Sequence, residues 1–325
     1  MLRPSAIGAA AWIVTAGLAA VVVLRLAAWS RGPVTALLLV ALPLVLAPAY
    51  PVAAVAVVRR DRWLGAAAAA LVAAHVLAVL PGLTATDVPT AAEQAPRLRV
   101  VTANLLVGNQ RLPEAARALR RLDADVLVLV ELRPDSLTAL RRHGLLTGLP
   151  HSTVDGAPRD VEIFSRLPLS DVERSRAVPE LPQPRAVVEV DGVAVRVLGE
   201  HPLPPGSGYE RAGRTSLTAL AAEVRREDLP LVVAGDLNSD RHFPLFDDLL
   251  AEGLRDAAEE RGRGLSRTWP QQWPALALDH VLVRDGAQAS LVVTGQREAP
   301  IPGSDHLAVV ADLAVVGQPV RSRLP

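Results

Sequence analysis

Hydrophobic residues are concentrated at the start of the chain, in three long stretches that contain no Asp, Glu, Lys or Arg: Ala6–Leu24, Pro33–Val58 and Leu64–Leu80. Each is about long enough to cross a hydrocarbon core of roughly 30 Å. A cleaved signal peptide would explain only one stretch, and a soluble helical bundle would carry polar faces that all three lack. The pattern therefore predicts three transmembrane helices in a membrane region, residues 1–84.

Beyond this region the pattern changes to short apolar runs bounded by polar residues and turn signals. Residues 85–96 are rich in proline, threonine and alanine, which is typical of a linker. We assign 97–316 to one folded domain and 317–325 to a C-terminal tail. Strands alternate with helices early in the domain, whereas later strands form hairpins, as at Asp191-Gly192. This order predicts a layered α/β (α+β) domain with largely antiparallel strands.

The arginines indicate how the chain is oriented. Two segments, the N-terminus and the loop between the second and third stretches, carry Arg3, Arg59, Arg60 and Arg62. The loop between the first and second stretches carries Arg25 and Arg31. The positive-inside rule then places the N-terminus in the cytoplasm and, after three spans, the domain outside the cell. We expect a multi-pass protein of the cell membrane, with Trp29 and Trp63 at the bilayer interfaces.

The charge distribution and the absence of cysteine argue against some kinds of substrate and metal site. The formal net charge of +0 hides a split: residues 1–90 carry +4 and the remainder carries −4. An acidic domain is a poor match for long nucleic acid, which selects basic surfaces. The chain has no cysteine, which excludes disulfides and thiolate metal sites.

Polar residues follow several of the predicted strands. Asn104 ends the first strand, and Glu131 follows the run Val126–Val130. Carboxylate and amide oxygens are ligands that Mg²⁺ prefers. Asp236 and Asn238, if extended, would point to the same face and hold a water beside a phosphoryl oxygen. Taken singly, each residue also fits an ordinary turn, cap or exposed strand end.

Histidines complete this set. His201 follows a strand and precedes a proline-rich loop, where it is able to bind a phosphate oxygen. Asp279 and His306 fit an orienting pair, because a working histidine needs one ring nitrogen fixed by an acceptor. Asp305 adds a carboxylate beside His306. The remaining domain histidines are interpreted as structural or surface residues: His143, His151, His242 and His280.

Taken in order, these segments resemble the endonuclease/exonuclease/phosphatase superfamily, which has a deoxyribonuclease-I-like fold. The most specific parts are Val232–Asn238, Leu278–Val281 and Gly303–His306, and the resemblance covers Leu98 to Leu313. It implies a two-sheet, four-layer sandwich flanked by helices, with the active site at one edge of the sheets.

The resemblance also implies roles for the residues. Asn104, Glu131 and Asp305 would bind or support Mg²⁺, with Mn²⁺ as an alternative. Asp236 would align or deprotonate the attacking water, and Asn238 would contact the phosphoryl group. The remaining catalytic residues would stabilise the phosphoryl oxygens: His201, and His306 oriented by Asp279.

Together with the three spans, the domain resembles a bacterial membrane-anchored subfamily associated with teicoplanin resistance. Glu162 departs from the superfamily pattern, which has small or apolar residues there. We expect a metal-dependent phosphodiesterase or phosphatase that acts on an extracytoplasmic phosphate ester, with a lipid-linked (pyro)phosphate favoured because the bilayer is adjacent. A surface-tethered endonuclease or exonuclease, for which nucleic acid is the less favoured substrate, and a non-catalytic phosphate-binding protein are the alternatives.

Overall fold

The computed structural model describes residues 6–175, 178, 181–204 and 210–317; of the predicted tail it describes only Gly317. The helices are α1 Ala6–Leu26, α2 Pro33–Val40, α3 Leu42–Leu46, α4 Ala49–Arg59, α5 Arg62–Val79, α6 Leu112–Arg121, α7 Pro134–Arg142, α8 Glu210–Arg226, α9 Pro244–Ala251 and α10 Ala257–Glu260. The strands are β1 Arg97–Asn104, β2 Val126–Val130, β3 His151–Ser152, β4 Glu162–Ser165, β5 Leu169–Ser175, β6 Gln183–Val190, β7 Val193–Glu200, β8 Leu231–Asp236, β9 Arg255–Asp256, β10 Asp279–Arg284, β11 Ala289–Pro300 and β12 Leu307–Gly317.

Three helical segments of the N-terminal region are long and apolar enough to cross a membrane: Ala6–Leu26, Leu42–Arg59 and Arg62–Leu83. The second segment is shorter than the single apolar stretch predicted from the sequence, Pro33–Val58. There α2 ends before Ala41, and α3 and α4 follow as a new, interrupted helical segment. Pro43 and Pro48 explain the breaks, because proline has no N–H and its ring clashes with the preceding helical turn. The second segment long enough to cross a membrane therefore begins at Leu42.

The domain contains two six-stranded sheets, which confirms the two-sheet prediction. Their strand orders are β11-β12-β1-β2-β4-β3 and β5-β6-β7-β8-β10-β9. Each sheet has one parallel pair at its centre, β1–β2 in the first and β7–β8 in the second, and its other described pairs are antiparallel. The predicted hairpin joins β6 to β7 through Asp191 and Gly192, both at positive φ.

The core lies between the two sheets and is built mainly from valine. Val100 and Val128 of the first sheet and Val232 and Val281 of the second are buried in this layer. Alternate residues on the outer face of the first sheet pack against α6 and α7. The second sheet packs against α8 and α9 in the same way. The result is the four-layer arrangement, helix on sheet on sheet on helix.

The N-terminal apolar helices contact the domain directly. Arg25 at the end of α1 forms an ion pair with Asp247 of α9, with 2.5 Å between the nitrogen and the oxygen. Thr86, in the predicted linker, donates its backbone N–H to the Glu260 carbonyl at 2.9 Å. The segment after the third apolar helix therefore lies along the domain, and the apolar helices and the sandwich are packed together at this side.

Candidate active site

The predicted site residues meet where the two parallel strand pairs end. The register of β1 and β2 aligns their last residues, which places Asn104 beside Glu131. In the other sheet, the register of β7 and β8 places His201 beside Asp236. The antiparallel strand β10 begins with Asp279 opposite Asp236. Because the parallel pairs of both sheets end at the same edge, four strand ends supply one cluster.

Asp236 is at the centre of this cluster and is 2 % exposed. Its Oδ2 accepts a hydrogen bond from Asn104 Nδ2 at 3.0 Å. The Nε2 atoms of His201 and His306 lie 3.8 and 3.7 Å from the same oxygen. One carboxylate oxygen thus faces an amide and two imidazoles, which come from both sheets.

Asn104 and Glu131 form a second, linked part of the site. Asn104 Nδ2 donates to Glu131 Oε1 at 2.9 Å, and the backbone N–H of Val107 donates to Glu131 Oε2 at 2.7 Å. Asn104 Oδ1 accepts from the backbone N–H of Leu106 at 2.9 Å. The loop after β1 is therefore wrapped around both polar side chains and holds them against the strand ends.

Each histidine of the site has its Nδ1 atom against a carboxylate. His306 Nδ1 lies 2.8 Å from Asp279 Oδ2, and His201 Nδ1 lies 2.6 Å from Asp160 Oδ2. Burial alone would lower the pKa of both histidines, but the carboxylate partners and Asp236 outweigh it and raise each pKa to about 9. Both rings are therefore cationic at neutral pH and direct Nε2 toward Asp236.

Burial also raises the pKa of the Asp279 carboxyl, helped by the nearby charge of Asp236 and opposed by His306. The backbone N–H of Asp279 donates to Thr268 Oγ1 at 3.1 Å, which fixes the start of β10. Asp279 Oδ2 contacts His306, whereas Asp279 Oδ1 is buried without a hydrogen-bond partner among the described residues.

The segment Ser304–His306 joins the start of β12 to the end of β1. Ser304 Oγ donates to the Asn104 carbonyl at 2.7 Å and accepts from the backbone N–H of His306 at 2.9 Å. Trp269 Nε1 donates to Asp305 Oδ2 at 2.9 Å. Asp305 Oδ1 is buried, lies 3.9 Å from His306 Nε2 and has no hydrogen-bond partner among the described residues.

The side chains present fit a hard divalent cation. Glu131 and Asp305 supply carboxylates, Asn104 supplies an amide, and the unpartnered Asp305 Oδ1 is an oxygen that a cation would satisfy. Asp236, Asp279 and His306 also bring ligand atoms within 4.8 Å of one another. In this group Asp279 Oδ2 is already bound to His306 Nδ1, but Asp279 Oδ1 is as unpartnered among the described residues as Asp305 Oδ1.

Asn238 is close to the site but does not adopt the predicted conformation. Extended geometry would place its side chain beside that of Asp236. Instead, Asn238 has a φ of 48° and its N–H donates to Asp236 Oδ1 at 2.9 Å, as in an Asx turn. Its Nδ2 donates to the Pro202 carbonyl at 3.0 Å, so that the amide links the site to the loop after His201.

Asp160 is the site residue that the sequence analysis missed. It directly precedes Val161 and strand β4, and its carbonyl accepts from the Leu132 N–H at 3.0 Å, next to Glu131. Its signal was a carboxylate at the boundary of an apolar run, the same signal that marked Glu131. The neighbouring Glu162, flagged as a departure, is fully buried and forms an ion pair with Arg174 at 2.6 Å.

The sequence profile of the endonuclease/exonuclease/phosphatase family matches residues 101–306. A comparison with curated protein sequences finds no match. Among solved structures, humanized D. rerio TDP2 is similar, with a TM-score of 0.57, 18 % identity and coverage of 67 % of this chain and 98 % of its own.

A second similar structure is an endonuclease/exonuclease/phosphatase from Beutenbergia cavernae, with a TM-score of 0.53, 20 % identity and coverage of 69 % of this chain and 73 % of its own. D. rerio TDP2 complexed with a single strand DNA product gives 0.56, 15 % identity and coverage of 67 % and 98 %. These identities support the shared fold alone. Since the family profile spans most of the sandwich, including every strand end that forms the site, this chain belongs to the endonuclease/exonuclease/phosphatase family.

Proposed function

We propose that the chain is a membrane-anchored, metal-dependent phosphoesterase that hydrolyses an extracytoplasmic phosphate ester, with a lipid-linked phosphate or pyrophosphate as the favoured substrate. The observation that carries the proposal is the convergence of Asn104, His201 and His306 on one oxygen of Asp236. A buried carboxylate among cationic groups is suited to holding a water against an anionic phosphoryl group.

In this proposal Asp236 orients the attacking water and accepts its proton as the water oxygen bonds to phosphorus. His201 and His306 donate from Nε2 to phosphoryl oxygens and stabilise the charge that develops there. The ester P–O bond breaks, the leaving oxygen takes up a proton from solvent water, and Asp236 returns the proton it accepted to solvent before the next turnover. Asp160 and Asp279 keep the two rings in the required orientation.

A divalent cation, Mg²⁺ with Mn²⁺ as the alternative, would neutralise phosphoryl charge and stabilise the leaving oxygen. Glu131, Asp305 and Asn104 are the residues that would hold it. Asn104 has a further part, since its Nδ2 joins Glu131 to Asp236 and so fixes the spacing between the metal side and the water side of the site.

The favoured substrate rests on charge and on proximity to the apolar helices. The chain beyond residue 90 carries −4, which disfavours long DNA. The loop that follows Asn238 continues into Arg241, whose carbonyl accepts from Arg25 of the first apolar helix at 3.3 Å. The site is thus one short loop away from the apolar helices, as a bilayer-borne substrate would require.

The test is a hydrolysis screen of the purified full-length protein with Mg²⁺ on lipid pyrophosphates, phospholipids, inositol phosphates and DNA. We expect lipid-linked substrates to be hydrolysed fastest, and Asp236→Asn and His306→Gln to abolish turnover. Glu189→Gln, an exposed change on β6, is the matched control. Full activity in both site variants would overturn the assignment, and faster cleavage of DNA would favour the tethered nuclease.

Orientation needs its own experiment, because it rests on four arginines against two. A periplasmic-type reporter fused after Pro325 is expected to be active, and the matched cytoplasmic reporter inactive. The reverse result would place the site inside the cell. The likeness to the membrane-anchored subfamily associated with teicoplanin resistance is part of the same proposal.

A further inference from the structure

A basic groove of about 940 Å³ lies where the loop between the first two apolar helices meets α8, away from the strand ends of the active site. Its lining residues are Arg31, Arg211, Arg214, Thr215, Thr218, Ala219 and Ala222. We propose that this groove binds the phosphate headgroup of an anionic membrane lipid. The inference rests on the membrane anchoring in the proposed function, but not on catalysis.

The groove has the charge and the donors that a phosphate needs. Three of its lining residues are arginines, and none of the described lining residues carries a carboxylate. A guanidinium group presents paired N–H donors that match the oxygens of a phosphate. Thr218 is exposed and adds a hydroxyl group, whereas the Thr215 hydroxyl donates to the Arg211 carbonyl at 2.8 Å.

The arginines are held in place by the apolar region. Arg214 Nη1 donates to Ser30 Oγ at 2.8 Å, and Ser30 is buried. The Arg31 guanidinium lies 5.3 Å from the ring centre of Trp29. One side of the groove is therefore built by the loop after α1 and the other by α8, so that the groove exists only where the two parts of the protein meet.

Exposed apolar side chains next to the groove favour a lipid headgroup over free phosphate as its ligand. Leu26, Trp29 and Val34 belong to the same loop region as Arg31 and are 81 %, 49 % and 68 % exposed. A soluble protein would not leave these side chains in water beside three cations. Such a boundary, apolar on one side and basic on the other, matches the headgroup level of a bilayer.

The groove is also connected to the loop that carries His201. Gly213 of α8 packs so closely against the Leu203 carbonyl that a Cβ atom at this position would clash. Leu203 is two residues after His201, and the preceding Pro202 accepts from Asn238. Gly213 lies between Arg211 and Arg214 in α8, so this close approach joins the helix that lines the groove to the loop after His201.

The experiment places the full-length protein in phosphatidylcholine nanodiscs that contain a small amount of one spin-labelled lipid, either phosphatidylglycerol or phosphatidylcholine. The fraction of each labelled lipid whose motion is restricted by the protein is then compared. The wild type is expected to prefer phosphatidylglycerol. Arg211→Gln combined with Arg214→Gln should reduce that preference about 30-fold. Arg211→Lys with Arg214→Lys should retain most of it, which separates loss of charge from loss of structure.

Arg117→Gln with Arg121→Gln is the matched control, because it removes two exposed arginines from α6, a helix that packs against the other sheet. An equal loss in this control, or no loss in the groove variant, would overturn the proposal. So would inorganic phosphate at equal concentration displacing the labelled lipid completely, since the groove would then be a site for free phosphate. This experiment measures lipid binding and not hydrolysis, so its result does not depend on whether the protein hydrolyses any ester.

Discussion

Asp160 Oδ2 lies 2.6 Å from His201 Nδ1, and this pair is the counterpart of Asp279 and His306 on the other side of Asp236. Both carboxylates bind the ring nitrogen that points away from the site, and both rings direct the other nitrogen inward. The two pairs differ in exposure, since the Asp160 side chain is 32 % exposed and that of Asp279 is fully buried.

Asp160→Asn should reduce kcat roughly 100-fold and leave KM nearly unchanged, because the ring of His201 loses its partner and its cationic form. Loss of the carboxylate also lowers the pKa of His201 from about 9. The alkaline limb of the pH–rate profile should therefore move to lower pH. Asp155→Asn, an exposed change in the same loop, is the control, and a profile identical to the wild type would contradict the pairing.

Glu131→Gln should weaken the binding of a divalent cation about 10- to 100-fold, because the amide retains the shape of the carboxylate but lacks its charge. Titration of the full-length protein with Mn²⁺, followed by electron paramagnetic resonance, measures this directly. Glu189→Gln should bind Mn²⁺ as the wild type does. Unchanged affinity in Glu131→Gln would move the metal to the group formed by Asp236, Asp279 and His306.

The sequence predicted the ends of strands better than the contacts between them. Glu131 and Asp236 were identified because each ends or directly follows a buried apolar strand, and a polar residue in that position lies at the edge of the sheet. Asp160 carries the same strand-boundary signal as Glu131, but its place in the site depends on β4 lying beside β2, which no local pattern specifies. Asn238 was placed on an extended strand, but an Asx turn ended the strand first.

A buried ion network supports the strand that carries His201. Arg185, 2 % exposed, lies 2.6 Å from Glu200 and 2.6 Å from Glu223. Arg185→Met should lower the free energy of unfolding by about 3–5 kcal/mol, because Glu200 would be left buried without its partner. Burial already raises the pKa of Glu200 to about 7, and the loss of Arg185 would raise it further, so that Glu200 would take up a proton to stay buried. Thermal unfolding of the full-length protein measures this, and adding Glu200→Gln should restore part of the loss. A double variant with fully additive losses would contradict the network.

His280 gives the domain a pH-dependent contribution to stability. Burial opposes its protonation, but Asp256 at 2.6 Å raises its pKa to about 9, from 6.5 in an unfolded chain. Its stabilisation is therefore complete below about pH 6.5 and is lost as the pH rises to about 9. The difference in unfolding free energy between wild type and His280→Gln should shrink by up to about 3 kcal/mol across this window. A constant difference would mean that His280 is neutral when folded.

The central parallel pair in each sheet has one more consequence. Asn104 and Glu131 belong to one sheet and His201 and Asp236 to the other, so neither sheet alone carries a complete site. Turnover therefore measures how well the two sheets are aligned. A change in the valine layer, such as Val232→Ala, should slow hydrolysis at temperatures where the fold is intact, because a small slip across the interface would part Asn104 from Asp236.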